Sequence, residues 1–207
     1  MKTIQIFFNM SFLKSRRIFC MYDDIKARVM EGTMLMYEKY GVKFTMDQLS
    51  DEIKMSKKTI YKVFIDKKDL MMYFVDYIFN QIKQEERKII QNDELSTYEK
   101  VKGVLACLPE GLRKMDMTQL YMIKNKYPKC AERVYERIES DWDYTYDLIQ
   151  KGVNEGVFKE FDFRVFKIAY QSTLEAMLSN DVLNKEGLSY QKALDSLVDI
   201  LLQGICK

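Results

Sequence analysis

Histidine is absent from this 207-residue chain, and only two prolines and eight glycines punctuate it. The first absence removes the imidazole base of Ser-His-Asp and Cys-His nucleophilic catalysis, and with it the commonest nitrogen ligand of zinc. The second leaves little of the sequence to build strands and tight turns. The four cysteines, Cys20, Cys107, Cys130 and Cys206, lie far apart with no C-x-x-C pair. They read as ordinary thiols of a reducing cytosol, which places the protein in the cytoplasm, and they indicate neither a disulfide framework nor a metal site. A Gly-rich phosphate loop and a Glu-x-x-His pair for di-metal chemistry are also missing. No cofactor and no metal is expected, and nothing points to a carboxylate- or lysine-based enzyme built on a helical bundle. No stretch is apolar enough for a membrane helix, so no membrane partner is expected.

What is present is rich in Lys, Glu, Leu, Ile, Met and Asp on helical spacing, which predicts an all-α fold. A formal net charge of +2 says little about partners by itself. Its distribution says more. Lys54, Lys57, Lys58, Lys62, Lys67 and Lys68 face one acid, Asp66, over residues 54–68, a basic stripe inside a nearly neutral chain. The first twenty residues are unusual: an apolar stretch, Thr3 to Leu13, precedes Lys14, Arg16 and Arg17, with no acid before Asp23. A signal peptide places its charges before the apolar region and ends in small residues, and this segment does neither. It reads as a disordered extension, or as the product of an upstream start with the native one at Met21. The functional alternative is a basic arm that touches DNA.

Ile25, Val29, Met36 and Tyr40 recur at helical spacing over about 23–40, and Gly41 sits where a helix C-cap is wanted. Thr45 offers an N-cap oxygen with Gln48 as its capping-box partner, opening a short helix at about 46–53 that turns Met46, Leu49 and Ile53 inward. Ser56 caps another at about 57–64, with Ile60, Val63 and Phe64 toward the core. A longer helix followed by two short ones with a tight connection is the frame of a helix-turn-helix domain. A long helix then runs from Lys67 to about Gln91, with Leu70, Phe74, Tyr77, Ile78 and Ile82 on one side. Asn92 to Ser96 breaks the pattern. Further helices are predicted at about 97–114, 116–126 and 128–153, with Pro109 kinking or ending the first and Pro128 in the first turn of the third. Gly152 to Gly156 makes a turn; charged neighbours exclude it as a membrane G-x-x-x-G motif. The last two helices, about 161–180 and 189–205, flank a loop from Asn180 to Leu188. The expected organisation is an extension at 1–21, a helix-turn-helix DNA-binding domain at 22–70, and a second helical domain at 71–207.

The run from Tyr40 to Leu49, then Met55-Ser56-Lys57-Lys58-Thr59-Ile60-Tyr61-Lys62-Val63-Phe64 and Asp66-Lys67-Lys68-Asp69-Leu70, resembles the TetR family of transcriptional regulators. The similarity covers about residues 25–75; beyond it only the order of helices matches. The resemblance implies that Thr45 meets a phosphate at the start of the second helix, where backbone N–H groups are unpaired. Ser56 would cap the recognition helix, and Lys57, Lys58 and Lys62 would reach phosphates or base edges in the major groove. Thr59 would touch a thymine methyl or a phosphate, Tyr61 the DNA backbone, and Lys67 a phosphate at the start of the fourth helix. The chain departs from the family pattern at Lys54, where a glycine is usual, at Ser50 for alanine and at Val63 for histidine.

For the second half the resemblance implies a ligand-binding and dimerisation domain. Phe166 and Leu174 on the penultimate helix, with Leu194, Leu197, Val198, Leu201 and Leu202 on the last, form apolar stripes that need a partner. That partner is either a neighbour within the chain or the same helix pair of a second subunit in an isologous bundle. Met115, Met117, Tyr121, Met122, Trp142, Tyr146, Tyr170 and Met177 either fill the core or line a pocket for a small apolar effector. The expectation is a homodimeric repressor that binds a palindromic double-stranded DNA operator and releases it when such a ligand shifts the population, with the helix from Lys67 as the lever. A regulator or architectural protein of the same fold without an effector is the alternative.

Overall fold

The structure, a computed structural model, describes residues 2–113, 126–179 and 181–207; of residues 2–20 it describes the backbone. The chain divides into two compact units, Met1–Leu70 and Met71–Lys207. Among the described residues it is helical throughout, apart from one isolated β-bridge between Phe158 and Cys206.

The first unit contains α1 (Lys2–Tyr40), a 3₁₀ turn (Gly41–Lys43), α2 (Met46–Glu52) and α3 (Lys57–Ile60). The helix expected from residue 23 begins at Lys2, so that residues 2–20, expected as an extension, have helical backbone. No proline or glycine precedes Gly32, so nothing in the local sequence interrupts the helical ladder. At its other end Tyr40 leaves helical geometry (φ −131°, ψ 1°), and Gly41 takes a left-handed φ of 56°. This swings Tyr40, expected inward, into solvent, and Tyr37 is buried instead. Val29, Met30, Met36, Phe44, Leu49, Ile60 and Phe64 complete the core of this unit.

The turn between α2 and α3 passes through Lys54 at φ 50°, the left-handed region. A Cβ there crowds the following carbonyl at a cost of about 1 kcal/mol. Lys54→Gly is therefore expected to raise the unfolding free energy by about that amount, read as a higher Tm; a lowered Tm would show that the lysine stem packs usefully. Beyond Ile60 the predicted helix to 64 does not continue as α. Lys62 N–H bonds to Thr59 O and Val63 N–H to Ile60 O, the tighter i−3 pattern.

The helix α4 (Lys67–Gln91) begins in this unit and continues into the second, which adds α5 (Thr97–Leu105), α6 (Glu110–Arg113), α7 (Pro128–Glu139), α8 (Asp143–Asn154), α9 (Phe163–Ser179), α10 (Val182–Lys185) and α11 (Tyr190–Ile205). Ser96 and Glu99 form a capping box at the start of α5. The helix expected over 97–114 ends at Leu105, and α6 starts immediately after Pro109, which supplies its first carbonyl acceptor. The helix expected over 128–153 is broken at Ser140–Trp142, where Asp141 adopts φ 61°. A short helix, α10, lies inside the expected loop. The helix expected at 116–126 falls almost wholly outside the described residues.

In this unit α5 packs against α8 and α11, and α9 against α7 and α11. Val101, Leu105, Cys130, Ile149, Phe158, Val198 and Leu202 are buried there. Among the described residues no helix is long and apolar enough to cross a membrane.

Candidate nucleic-acid interface and helical cavity

Both short helices of the first unit are capped by the side chains the spacing indicates. Thr45 Oγ1 accepts the Gln48 N–H at 3.1 Å while Gln48 Oε1 accepts the Thr45 N–H at 2.7 Å. Ser56 Oγ accepts the Thr59 N–H at 3.2 Å and lies 2.9 Å from Thr59 Oγ1, tying the two hydroxyls together. Ser50, which stands where alanine is usual, donates its hydroxyl to Met55 O at 2.7 Å and so braces the turn around Lys54. On the other side Arg28 Nη2 donates to Ile53 O at 3.2 Å, and Lys39 pairs with Glu52 at 2.9 Å. These supports were not legible in the sequence, because they join residues far apart in it.

The cations at this end are exposed. Lys54, Lys58, Lys62 and Lys68 face solvent, and Tyr61 is 45 % exposed. Lys57 Nζ rests 2.6 Å from Asp47 Oδ1, and this hydrogen bond raises the lysine pKa. Because both partners are solvated, the pair is weak and screened by salt, so a phosphate can replace the carboxylate. Lys67, expected at a phosphate, also has partners within the chain. It is half-buried, its ammonium lies 3.8 Å from the centre of the Phe44 ring, and it donates to Val42 O at 2.9 Å and to Phe44 O. It holds the link between α1 and α2 in place, with its charge directed at carbonyls.

In the second unit a cavity of about 120 Å³ lies among α4, α5, α7, α9 and α11 and the segment linking α7 to α8. Of the expected pocket residues, Trp142 and Tyr170 line it, their rings edge to face at 5.5 Å. Met177 is buried but lines no part of it, and Tyr146 packs instead on Phe163 at 5.0 Å with its outer face exposed. Met115, Met117, Tyr121 and Met122 lie outside the described residues. The cavity also holds groups that periodicity did not single out: Lys83, Glu86, Cys107, Arg137 and Tyr190. Lys83 and Glu86 pair at 2.8 Å; burial still pushes the Glu86 carboxyl above its usual range. Burial also pushes the Cys107 thiol up to about 12, leaving it unreactive at neutral pH. Tyr170 donates its hydroxyl to Leu105 O at 2.6 Å.

The residues expected at a dimer face divide in two. Phe166, Leu174, Leu194, Val198 and Leu202 are buried inside this chain, with Leu174 and Leu194 lining the cavity, so they serve its own core. Leu197 and Leu201 are half-buried. On α9 and α11 the apolar side chains that face outward are Val165 (63 %), Ile168 (62 %) and Ile200 (68 %). A shallow groove beside them is lined by Phe161, Ala169, Leu201 and Gly204. The strongest stripe on each of these helices points to the chain's own core, and a weaker apolar face beside it stays exposed. Among the described residues no three His, Cys, Asp or Glu side chains gather as metal ligands.

No family model matches the sequence. The chain is 25% identical over 178 residues to the uncharacterized HTH-type transcriptional regulator YvaF of Bacillus subtilis, covering 86% of this chain and 94% of that one. The fold matches a TetR transcription regulator from Haloarcula marismortui at a TM-score of 0.69, with 15% identity over 89% of this chain and 100% of the other. It also matches a TetR-family transcriptional regulator from Agrobacterium tumefaciens at 0.61, with 12% identity over 90% and 100% of the two chains.

Proposed function

We propose that this chain, whose fold is that of the TetR regulators, is a sequence-specific, DNA-binding transcriptional repressor of the cytoplasm. The observation that carries the reading is the helix-turn-helix itself. Two capped short helices are braced against α1, and Lys54, Lys57, Lys58, Lys62 and Tyr61 are exposed around the second of them. Helix N-termini and lysines supply phosphate contacts, and Thr59 and the lysines of α3 supply base contacts in the major groove. Residues 22–70 form the DNA-binding part and 71–207 the effector-binding and dimerisation part.

One short recognition helix contacts few bases, so a palindrome read by a homodimer is the natural operator. The outward apolar face of Val165, Ile168 and Ile200, with the half-buried Leu197 and Leu201, is the surface assigned to the second subunit. Ile200→Asp is expected to convert a dimer to a monomer in sedimentation and to weaken operator binding by about 10²–10⁴. A dimer that persists unchanged would move the interface elsewhere. The cavity of the second unit is the effector site. A small apolar ligand that prefers a conformer whose recognition helices no longer fit successive grooves lowers operator affinity.

The test is selection from random duplex DNA by the purified chain, followed by titration of the selected site at two salt concentrations. A palindromic site bound tightly and with a steep salt dependence is the expected result. No preferred sequence would remove the regulator reading.

A further inference from the structure

The chemistry of the cavity specifies more than an apolar ligand. Its walls are mainly aliphatic and aromatic, and its charged lining is Lys83, Glu86, Arg137 and Asp141. Lys83 and Glu86 neutralise each other at 2.8 Å. Asp141 is exposed to solvent, with its carboxylate 3.2 Å from Ser140 Oγ. Among the described residues no carboxylate pairs with Arg137. Its Nη2 donates to the amide oxygen of Asn80 at 3.1 Å, and its guanidinium carbon lies 5.6 Å from the centre of the Phe79 ring. Its Nε is buried and meets no acceptor among the described residues. A buried donor without a partner is costly, and a guanidinium is the side chain best shaped to grip a carboxylate.

We propose that the effector is an amphipathic carboxylate: an apolar body the size of one ring or a short chain among Trp142, Tyr170 and Phe79, with its anionic head on Arg137. The size follows from the volume, about 120 Å³, close to that of engineered apolar cavities that hold one benzene. The head group follows from charge. With Lys83 and Glu86 paired and Asp141 exposed to solvent, the Arg137 guanidinium, whose buried Nε meets no acceptor among the described residues, is the charge of the lining placed to receive an anion, which gains a charge-assisted hydrogen bond there. An incoming cation would sit beside Arg137 and, to reach Glu86, would have to displace Lys83.

This inference rests on the cavity being the effector site, and the experiment separates the two. The chain has one tryptophan, Trp142, and it lines the cavity, so its fluorescence reports occupancy. The full chain is titrated with 4-phenylbutyrate, 4-phenylbutanol and 4-phenylbutylamine, which share a body and differ in the head. The carboxylate is expected to bind at least tenfold more tightly than the alcohol, with the amine weakest. Arg137→Gln is expected to abolish that preference, and Arg137→Lys to retain part of it. The comparison of head groups on the unaltered chain does not depend on either variant folding. Equal binding of acid and alcohol, preference for the amine, or no binding of any of the three would overturn the proposal. Tight carboxylate binding that leaves the selected operator bound would uphold the head-group assignment and remove the effector role.

Discussion

A Lys57→Ala, Tyr61→Ala variant is expected to bind the operator on the order of a hundred- to thousandfold more weakly than the unaltered chain, because each lost contact counts twice in a dimer. Both side chains are exposed, and the helix that carries Lys57 is held by its Ser56 cap and by Ile60 in the core, so the fold is expected to survive the change. The two losses have different signatures. Removing the lysine charge makes the salt dependence shallower by about one per protomer, whereas losing the tyrosine hydroxyl leaves the slope unchanged. The ion pair of Lys57 with Asp47 adds a further arm. Asp47→Asn frees the lysine and removes a negative charge from the face proposed to meet phosphate, so it is expected to tighten binding slightly. Filter binding or fluorescence anisotropy across a salt series reads all three. Unaltered affinity in the double variant would show that the contacts to DNA are made elsewhere.

Gly32→Ala is expected to damage the same unit from its core side. A Cβ at Gly32 would lie 2.0 Å from Ile53 Cγ2 and 3.1 Å from Leu49 Cδ1, far inside van der Waals contact. Ile53 is β-branched and stiff at χ1, and Arg28 holds its carbonyl, so relief requires α2 to move away from α1. Overpacking of this kind costs about 1–3 kcal/mol, and the severity of the overlap puts it at the upper end. The better helix propensity of alanine returns about 1 kcal/mol. The expected net result is a loss of about 2 kcal/mol, with operator affinity falling as α2 shifts. Thermal unfolding followed by circular dichroism, alongside DNA binding, checks it. A raised Tm with intact binding would mean that α1 and α2 approach less closely than the structure places them.

These two predictions draw on different levels of information. The exposed placement of Lys57 and Tyr61 was legible in the sequence because it depends on local order. A capping serine, a helical turn and a cluster of lysines are encoded within a few residues of one another, and the structure keeps Thr45 and Ser56 as caps. The role of Gly32 was not legible, since the atoms it makes room for lie about twenty residues away. Lys67 shows the same limit in reverse. Its place in the motif suggested a phosphate, and only the tertiary fold brings the Val42 and Phe44 carbonyls to its ammonium.

By itself the sequence determined the helical class, the positions of the caps, the break after Gln91 and the basic stripe. All of these follow from periodicity and from groups that satisfy the backbone locally. The tertiary structure decided which stripe of each late helix is core and which is surface, burying Leu194 and Val198 and leaving Val165 and Ile200 outside. It also decided that Arg137 at the end of α7 and Trp142 in the break before α8 share one cavity. Apolar periodicity states that a helix has an inward face; what lies against that face is set by packing among segments distant in the chain.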